Sequence, residues 1–517
     1  MSFNLVASKW LPVRRASGAR QIIAPAEVAD GFADDPILAL DFSRPDWNGA
    51  VTEWLIGLTF LAMPPRDVYA WADLFETPLG VDDLDRALSP LVPWFGLDGE
   101  GPRAFQDLDP LADQDVKAPD GLLIDAPGEN TLKNNADLFV KRGANPSLGL
   151  AEAAAALITL QTYAPSGGAG HRTSMRGGGP LTTLVAPVRP GPLRTSTLWD
   201  RIWANVPPDG DVGEARDALP WLRPTLTSGK SDLPVTPEGR HPALVFFACP
   251  RRIRLVFEDQ RGERRVVGYR TQNYGANYLG WEHPLSPYRE DPKSGKLPIH
   301  PRSGASNYGD WTAWWGFGGA PAAVTVAWAA RSRELSDDLR MEMHAFGYDM
   351  DNMKARQWVE ARLPWVDVSA PALEAAVTKA VEAADAAAKA LRRAAKLAIY
   401  GQRRGEVYNL PEGLPLDSLP ESYDRLWRET QGAFERLLRD LEARLHASGA
   451  ETSDLLLGWA GVLRAACGRI FAETVDVDAL GDAEPRRLLM AQWQLWRDLA
   501  SLETKTMKIA PLDRRRA

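Results

Sequence analysis

Cysteine is nearly absent. Cys249 and Cys467 are the only two, and they stand far apart in the chain. That excludes a disulfide framework and a thiolate zinc site, which needs several cysteines at short spacing, and it fits a reducing cytoplasm. Histidine is scarce as well, with 6 residues (His171, His241, His283, His300, His344 and His446). No two stand four apart around a glutamate, so a helical metalloprotease site is excluded and no metal is expected. Long apolar runs are missing too. The most apolar stretch, Trp54 to Met63, lies between Glu53 and Arg66. It is shorter than the roughly 20 residues that span a bilayer. The opening Met1-Ser2-Phe3-Asn4-Leu5 has no basic n-region followed by an apolar stretch. A soluble, cytoplasmic chain without a membrane partner is expected.

Nucleotide and nucleophile patterns are also lacking. The glycine-dense stretch from Ser166 to Gly179 invites a phosphate-loop reading, but a P-loop needs a glycine, four residues, then Gly-Lys-Ser/Thr. The matching frame, Pro165…Gly170-His171-Arg172, has neither the first glycine nor the lysine. Gly168-Ala169-Gly170-His171-Arg172-Thr173 lacks the third glycine of a dinucleotide fingerprint. Ala164-Pro165-Ser166-Gly167-Gly168 departs from the Gly-x-Ser-x-Gly of a nucleophile elbow, and Ser166 with His171 has no acid partner or oxyanion site in view. No carboxylate pair is spaced in a way that separates it from surface charge. No cofactor is implied, and a non-enzymatic role is expected.

What is present is length, ordinary composition and a charge asymmetry. At 517 residues, 45% hydrophobic and 25% charged, the chain has room for about three domains and several cores. The net charge of −8 hides two opposed regions. Residues 1–140 hold 10 Lys+Arg against 23 Asp+Glu, whereas residues 141–310 hold 22 against 15. A polyanion is therefore drawn to the middle segment and repelled by much of the first.

Two short strands are predicted at Leu5–Val13 and Arg20–Ile23, joined by the turn residues Ser17-Gly18. Helices follow at about 49–63, 66–77 and 81–89, broken at Pro64-Pro65 and Pro78. Asp98 to Lys133 reads mostly as loop, and the Ala-rich Leu148–Tyr163 as helix. Leu181–Val185, Ile253–Phe257, Arg265–Tyr269 and Ala322–Trp328 read as strands from their Val and aromatic content. After about Asp367 four helices are expected, near 371–400, 421–447, 453–474 and 483–504. Their apolar residues recur at steps of three and four, as in Leu373, Val377, Val381, Ala384, Ala388, Leu391 and Ala395. The expected fold is α+β: a large mixed body with long loops over 1–367, then a C-terminal four-helix bundle over 368–517.

Three segments together resemble the CasA family, the large subunit of the type I-E CRISPR surveillance complex Cascade. They are Asn4-Leu5…Trp10-Leu11-Pro12-Val13; Ala164-Pro165…Arg176-Gly177-Gly178-Gly179-Pro180-Leu181-Thr182-Thr183; and Trp281…His283-Pro284-Leu285-Ser286-Pro287. The order of mixed body and terminal bundle agrees with that family. The resemblance implies a subunit that recognises the short PAM duplex from the minor groove, starts strand separation and helps recruit the helicase–nuclease. It implies as partners CasB, CasC and CasD, the CRISPR RNA and double-stranded target DNA. Specificity beyond the PAM then belongs to guide pairing.

Residue by residue, the resemblance maps the family's glycine loop onto Gly167, Gly168, Ala169 and Gly170. Phe139, Val140, Lys141 and Arg142 are similar to its flexible loop near PAM and guide. Its basic finger falls at Gln272, with Arg270 two residues earlier on the same strand face. Its wedge falls near Asn352 or Met353 in place of a glutamine. Lys293 and Lys296 suit phosphate contacts. A scaffold subunit that bridges partners without reading DNA is the alternative, but it has no need of the basic middle segment.

Overall fold

The computed structural model describes residues 2–137, 142–165, 167, 170–190, 195–208, 213–229, 234–302, 307–335, 339–351, 354–368, 370–405, 407–412, 421–448, 451–475 and 485–509. The chain divides into two compact units, Met1–Ser303 with Gly319–Trp365, and Gly304–Gly318 with Val366–Ala517. The sequence reading divides it at 367/368. The structural division falls between Trp365 and Val366 and moves Gly304–Gly318 to the C-terminal unit.

The larger unit is built around two helices that are buried on nearly every side. α1 (Pro45–Ala62) begins with proline at its first turn and buries Trp47, Val51, Trp54, Leu55, Leu58 and Leu61. α2 (Leu150–Tyr163) buries Ala153 to Gln161 without a break and packs on α1. A helix apolar all round belongs in a core, and that is where both lie. Gly57 is required by packing, because a Cβ there would stand 2.3 Å from Phe246 Cβ. Tryptophans fill the rest of the core, and each buried indole needs an acceptor. Trp71 Nε1 donates to the Trp203 carbonyl at 3.1 Å, and Trp203 Nε1 returns the bond at 2.8 Å. This reciprocal pair joins the helices Val68–Glu76 and Leu198–Trp203.

A small antiparallel sheet opens the chain, with β1 (Leu11–Arg15) between β2 (Arg20–Ile23) and β3 (Ile37–Leu40). β1 starts later than the predicted Leu5. Asn4 Oδ1 accepts from the backbone N–H of Val6 and Ala7, which turns residues 5–8 away from extended geometry. β4 (Thr182–Val188) is buried along its whole length. Three hairpins follow: β5 (Arg252–Gln260) with β6 (Glu263–Gln272), β7 (Tyr288–Asp291) with β8 (Gly295–Pro298), and β9 (Arg340–Asp351) with β10 (Lys354–Pro364). β9 pairs antiparallel with both β10 and β4, at the centre of its sheet.

Ala322–Trp328, predicted as a strand, is helical over Ala323–Arg331. Its buried residues, Val324, Thr325, Trp328 and Arg331, follow helical spacing. Trp328 packs edge-on against Trp71 and Phe75. Tertiary contact overrides the strand preference of its β-branched residues.

In the smaller unit four helices form the bundle: α3 (Pro371–Tyr400), α4 (Ser422–Ser448), α5 (Ser453–Thr474) and α6 (Pro485–Ala500). α3 packs against the other three. It can do so because its buried residues are mostly alanine, which lets neighbouring backbones approach. Trp459 Nε1 reaches the Ala380 carbonyl at 2.9 Å through that gap. Among the described residues α5 is the helix long and apolar enough to cross a membrane, and it buries Leu456, Trp459, Leu463, Ala466 and Ile470 within the unit. Helix Tyr308–Trp314 completes the bundle's core: the Tyr308 ring stacks on Phe434 at 4.2 Å between centroids, and its hydroxyl meets Thr430 Oγ1 at 2.8 Å.

Candidate nucleic-acid interface

The glycine-rich segment leaves through an exit, Arg176 to Thr183, that is hydrogen-bonded into the core. Glu53, on α1, is buried and takes Arg176 Nη2 at 2.6 Å on Oε2 and Thr182 Oγ1 at 2.6 Å on Oε1. The Tyr163 hydroxyl donates to the same carboxylate. Arg176 Nη1 also reaches Thr182 Oγ1 at 3.0 Å and Ser286 Oγ at 2.9 Å. Ser286 Oγ in turn donates to the Leu181 carbonyl at 2.7 Å, and Thr183 N–H to the Leu285 carbonyl at 2.8 Å. Burial and the Arg176 charge hold His283 well below its usual pKa, so it stays neutral and its Nδ1 accepts from Leu285 N–H at 3.2 Å. Burial likewise pushes the Tyr163 phenol up. Gly179 has φ +64, and a Cβ there would stand 2.6 Å from the Tyr348 carbonyl oxygen on β9. Two of the segments that carry the family resemblance thus interlock through one satisfied buried ion pair. Their chemistry is architectural: breaking one partner of such a pair strands the other charge.

Of the stretch that precedes this exit, Pro165, Gly167 and residues 170–172 are described. One guanidinium bonds both Pro165 and Arg172. Arg251, just before β5, donates from Nη2 to the Pro165 carbonyl at 2.5 Å and from Nε to the Arg172 carbonyl at 3.2 Å. Its own backbone is fixed by Gln161 of α2, which accepts from Arg251 N–H at 3.0 Å and donates to its carbonyl at 2.9 Å. Burial pushes the Arg251 guanidinium down to about 10, which leaves it charged at neutral pH. Gly170 and Arg172 are bonded, directly and through Ser228, to the chain leaving β6. Gly170 O accepts from Tyr274 N–H at 2.7 Å. Arg172 Nε donates to Ser228 Oγ at 2.6 Å, and Ser228 N–H donates to the Tyr274 carbonyl at 3.1 Å.

The structure therefore brings Gly167, Gly170 and the end of β6 together. Gly167 is glycine because a Cβ would stand 2.4 Å from His171 Cβ; Gly170 is glycine because φ is +85. Gln272 lies opposite Arg252, and Arg270 opposite Arg254. Arg252 pairs with Asp107 at 2.5 Å, and buried Arg254 donates to the Asp107 and Gly101 carbonyls at 2.9 Å each. Arg270 is half-buried, and its Nε has no hydrogen-bond partner among the described residues. Lys293 is exposed in the β7–β8 turn, where its N–H donates to Asp291 Oδ1 at 3.0 Å. Lys296 forms an ion pair with Glu282 at 3.0 Å, so part of its charge is answered within the chain. Arg142 is occupied by Asp137, the Leu132 carbonyl and Asn135 Oδ1. Gly168, Ala169, Phe139, Val140, Lys141, Asn352 and Met353 lie outside the described residues. No group of three or more metal-ligating side chains occurs among the described residues. Sequence reasoning missed Arg251, Gln161 and Glu53. A lone arginine before a strand and a glutamate in an apolar helix carry no motif, although a glutamate amid the run 47–61 is a signal for a buried partner.

A mixed body followed by an alanine-cored helical bundle is the fold of the solved CasA and Cse1 structures. Residues 4–470 match the family model for CRISPR-associated protein Cse1, and the chain belongs to that family. CasA from Thermus thermophilus is similar in fold, with a TM-score of 0.70 at 19% identity, covering 97% of this chain and 100% of that one. Cse1 from Thermobifida fusca gives 0.72 at 18%, covering 99% of each chain. A chain of a CRISPR RNA-guided surveillance complex gives 0.68 at 17%, covering 97% and 99%.

Proposed function

We propose that this chain is the PAM-reading subunit of a type I-E surveillance complex, binding double-stranded target DNA and starting strand separation rather than catalysing a reaction. The observation that carries the reading is the bonding of Pro165 and Arg172 by the one Arg251 guanidinium, with Gly170 joined to the chain just beyond β6. A minor groove is about 6 Å wide, and a backbone without Cβ atoms reaches base edges there most closely. Such a reader must be pre-positioned, since ordering a free loop costs about 1–2 kcal/mol per residue. Arg270 and Gln272 then flank the groove, Lys293 and Lys296 contact phosphate, and Asn352 or Met353 parts the first step. Phe139, Val140, Lys141 and Arg142 lie near PAM and guide. The partners are the other Cascade subunits, CasB, CasC and CasD, with the CRISPR RNA, the target duplex and a recruited helicase–nuclease.

Gly168→Asp in the assembled complex tests this. Position 170 is a poor probe, because any side chain there is strained by its φ of +85. The expected result is unchanged assembly, PAM-duplex binding weakened at least about tenfold, roughly 1.4 kcal/mol, and a smaller loss on a target already opened. Equal loss on both substrates, or none, makes the loop a turn and favours a bridging scaffold.

A further inference from the structure

Tyr274 is an exception in a body that buries most of its rings. It is 47% exposed and sits two residues beyond the end of β6, beside Gly170. Its backbone is left-handed, with φ +61, a region disfavoured for a side chain of this size. Three contacts maintain that conformation. Its N–H donates to Gly170 O at 2.7 Å, its carbonyl accepts from Ser228 N–H at 3.1 Å, and Arg172 Nε fixes Ser228 Oγ at 2.6 Å. The ring edge lies against Gly170, where a built Cβ would stand 3.1 Å from Cε1 and 3.2 Å from Cδ1. The chain thus holds an aromatic plate in a disfavoured conformation, against Gly170 and open to solvent. Backbone strain over-determined by its surroundings marks functional positions.

We propose that Tyr274 is a further DNA-contacting residue, stacking on the first base freed beside the short motif that the glycine loop reads. The proposal rests on the duplex-reading role given to that loop. Bases in a closed duplex offer only their edges, whereas an opened base offers a face, and stacking on an aromatic ring tolerates any base identity. A ring already fixed by backbone bonds loses little freedom on binding. It would hold the first opened position against reclosure.

The test uses the assembled complex with Tyr274→Gly and Tyr274→Phe. The probes are a motif-bearing duplex with 2-aminopurine at the adjoining position and a duplex lacking the motif. Glycine adopts a positive φ freely, so Tyr274→Gly removes the ring without straining the fold. The expected result is an affinity loss of about 5- to 150-fold for Tyr274→Gly. Stacking-induced quenching of the probe is lost with it, preference for the motif persists, and Tyr274→Phe behaves as the parent. Parental affinity and quenching in Tyr274→Gly, with motif preference intact, overturn the proposal. Absence of motif preference in the parent complex overturns the loop-reading role instead, and the quenching comparison still decides the part played by the ring.

Discussion

Arg251 tethers, with one side chain, the Pro165 and Arg172 carbonyls on either side of the glycine positions 167–170. Gln161 keeps it in place from α2. Replacing it by methionine keeps much of the stem volume and strands the Pro165 and Arg172 carbonyls, at about 1–3 kcal/mol for each buried group left unsatisfied. Arg251→Met is therefore expected to fold and assemble but to lose discrimination between PAM and non-PAM duplexes, measured by competition binding. Arg251→Lys retains one of the two bonds and falls between. Full discrimination in Arg251→Met contradicts the staple. None of this was legible in the sequence. Gly167 and Gly170 could be named from composition and resemblance, but the arginine that fixes them lies about eighty residues further along. Only the fold makes them neighbours.

At the scale of elements, legibility followed the strength of the period. Bundle helices α3 and α5 appeared at the predicted spans because their apolar residues recur every three or four positions along many turns. The hairpin β9–β10 went unread. β9, Arg-Met-Glu-Met-His-Ala-Phe, has no β-branched residue over its first seven positions and becomes a strand through pairing on both sides. Residues 308–314 fall inside the span 1–367 read as the mixed body, whereas they form a helix whose Tyr308 ring packs on Phe434, Trp427 and Trp459. This has a direct consequence for truncation. A chain ending at Trp365 leaves Tyr308 and Trp311 without their apolar cover, and large exposed patches drive association. It is expected to aggregate in size-exclusion chromatography. The same truncation with Gly304–Gly318 replaced by a short Gly/Ser linker is expected to run as a monodisperse species. Equal behaviour of the two would place that helix outside the bundle's core.

For the whole molecule, the asymmetry of charge and the Arg251 tether belong to one account. The acidic first segment and the basic middle segment are the charge pattern that the proposed reading uses, while the buried Glu53–Arg176 pair at 2.6 Å ties α1 to the exit of the glycine-rich segment. Family membership and the two-unit fold make the chain a Cse1-family subunit; reading of the PAM is the central claim built on them. The most direct test compares complexes assembled with and without this chain, titrated with PAM-bearing and PAM-less duplexes at two salt concentrations. With the chain, the account predicts tighter binding of the PAM duplex by at least about tenfold. It also predicts an affinity that falls with salt at a slope near −0.9 for each phosphate neutralised. Without the chain the preference should vanish while pairing to an opened target persists. An undiminished PAM preference in complexes lacking the chain would contradict the account.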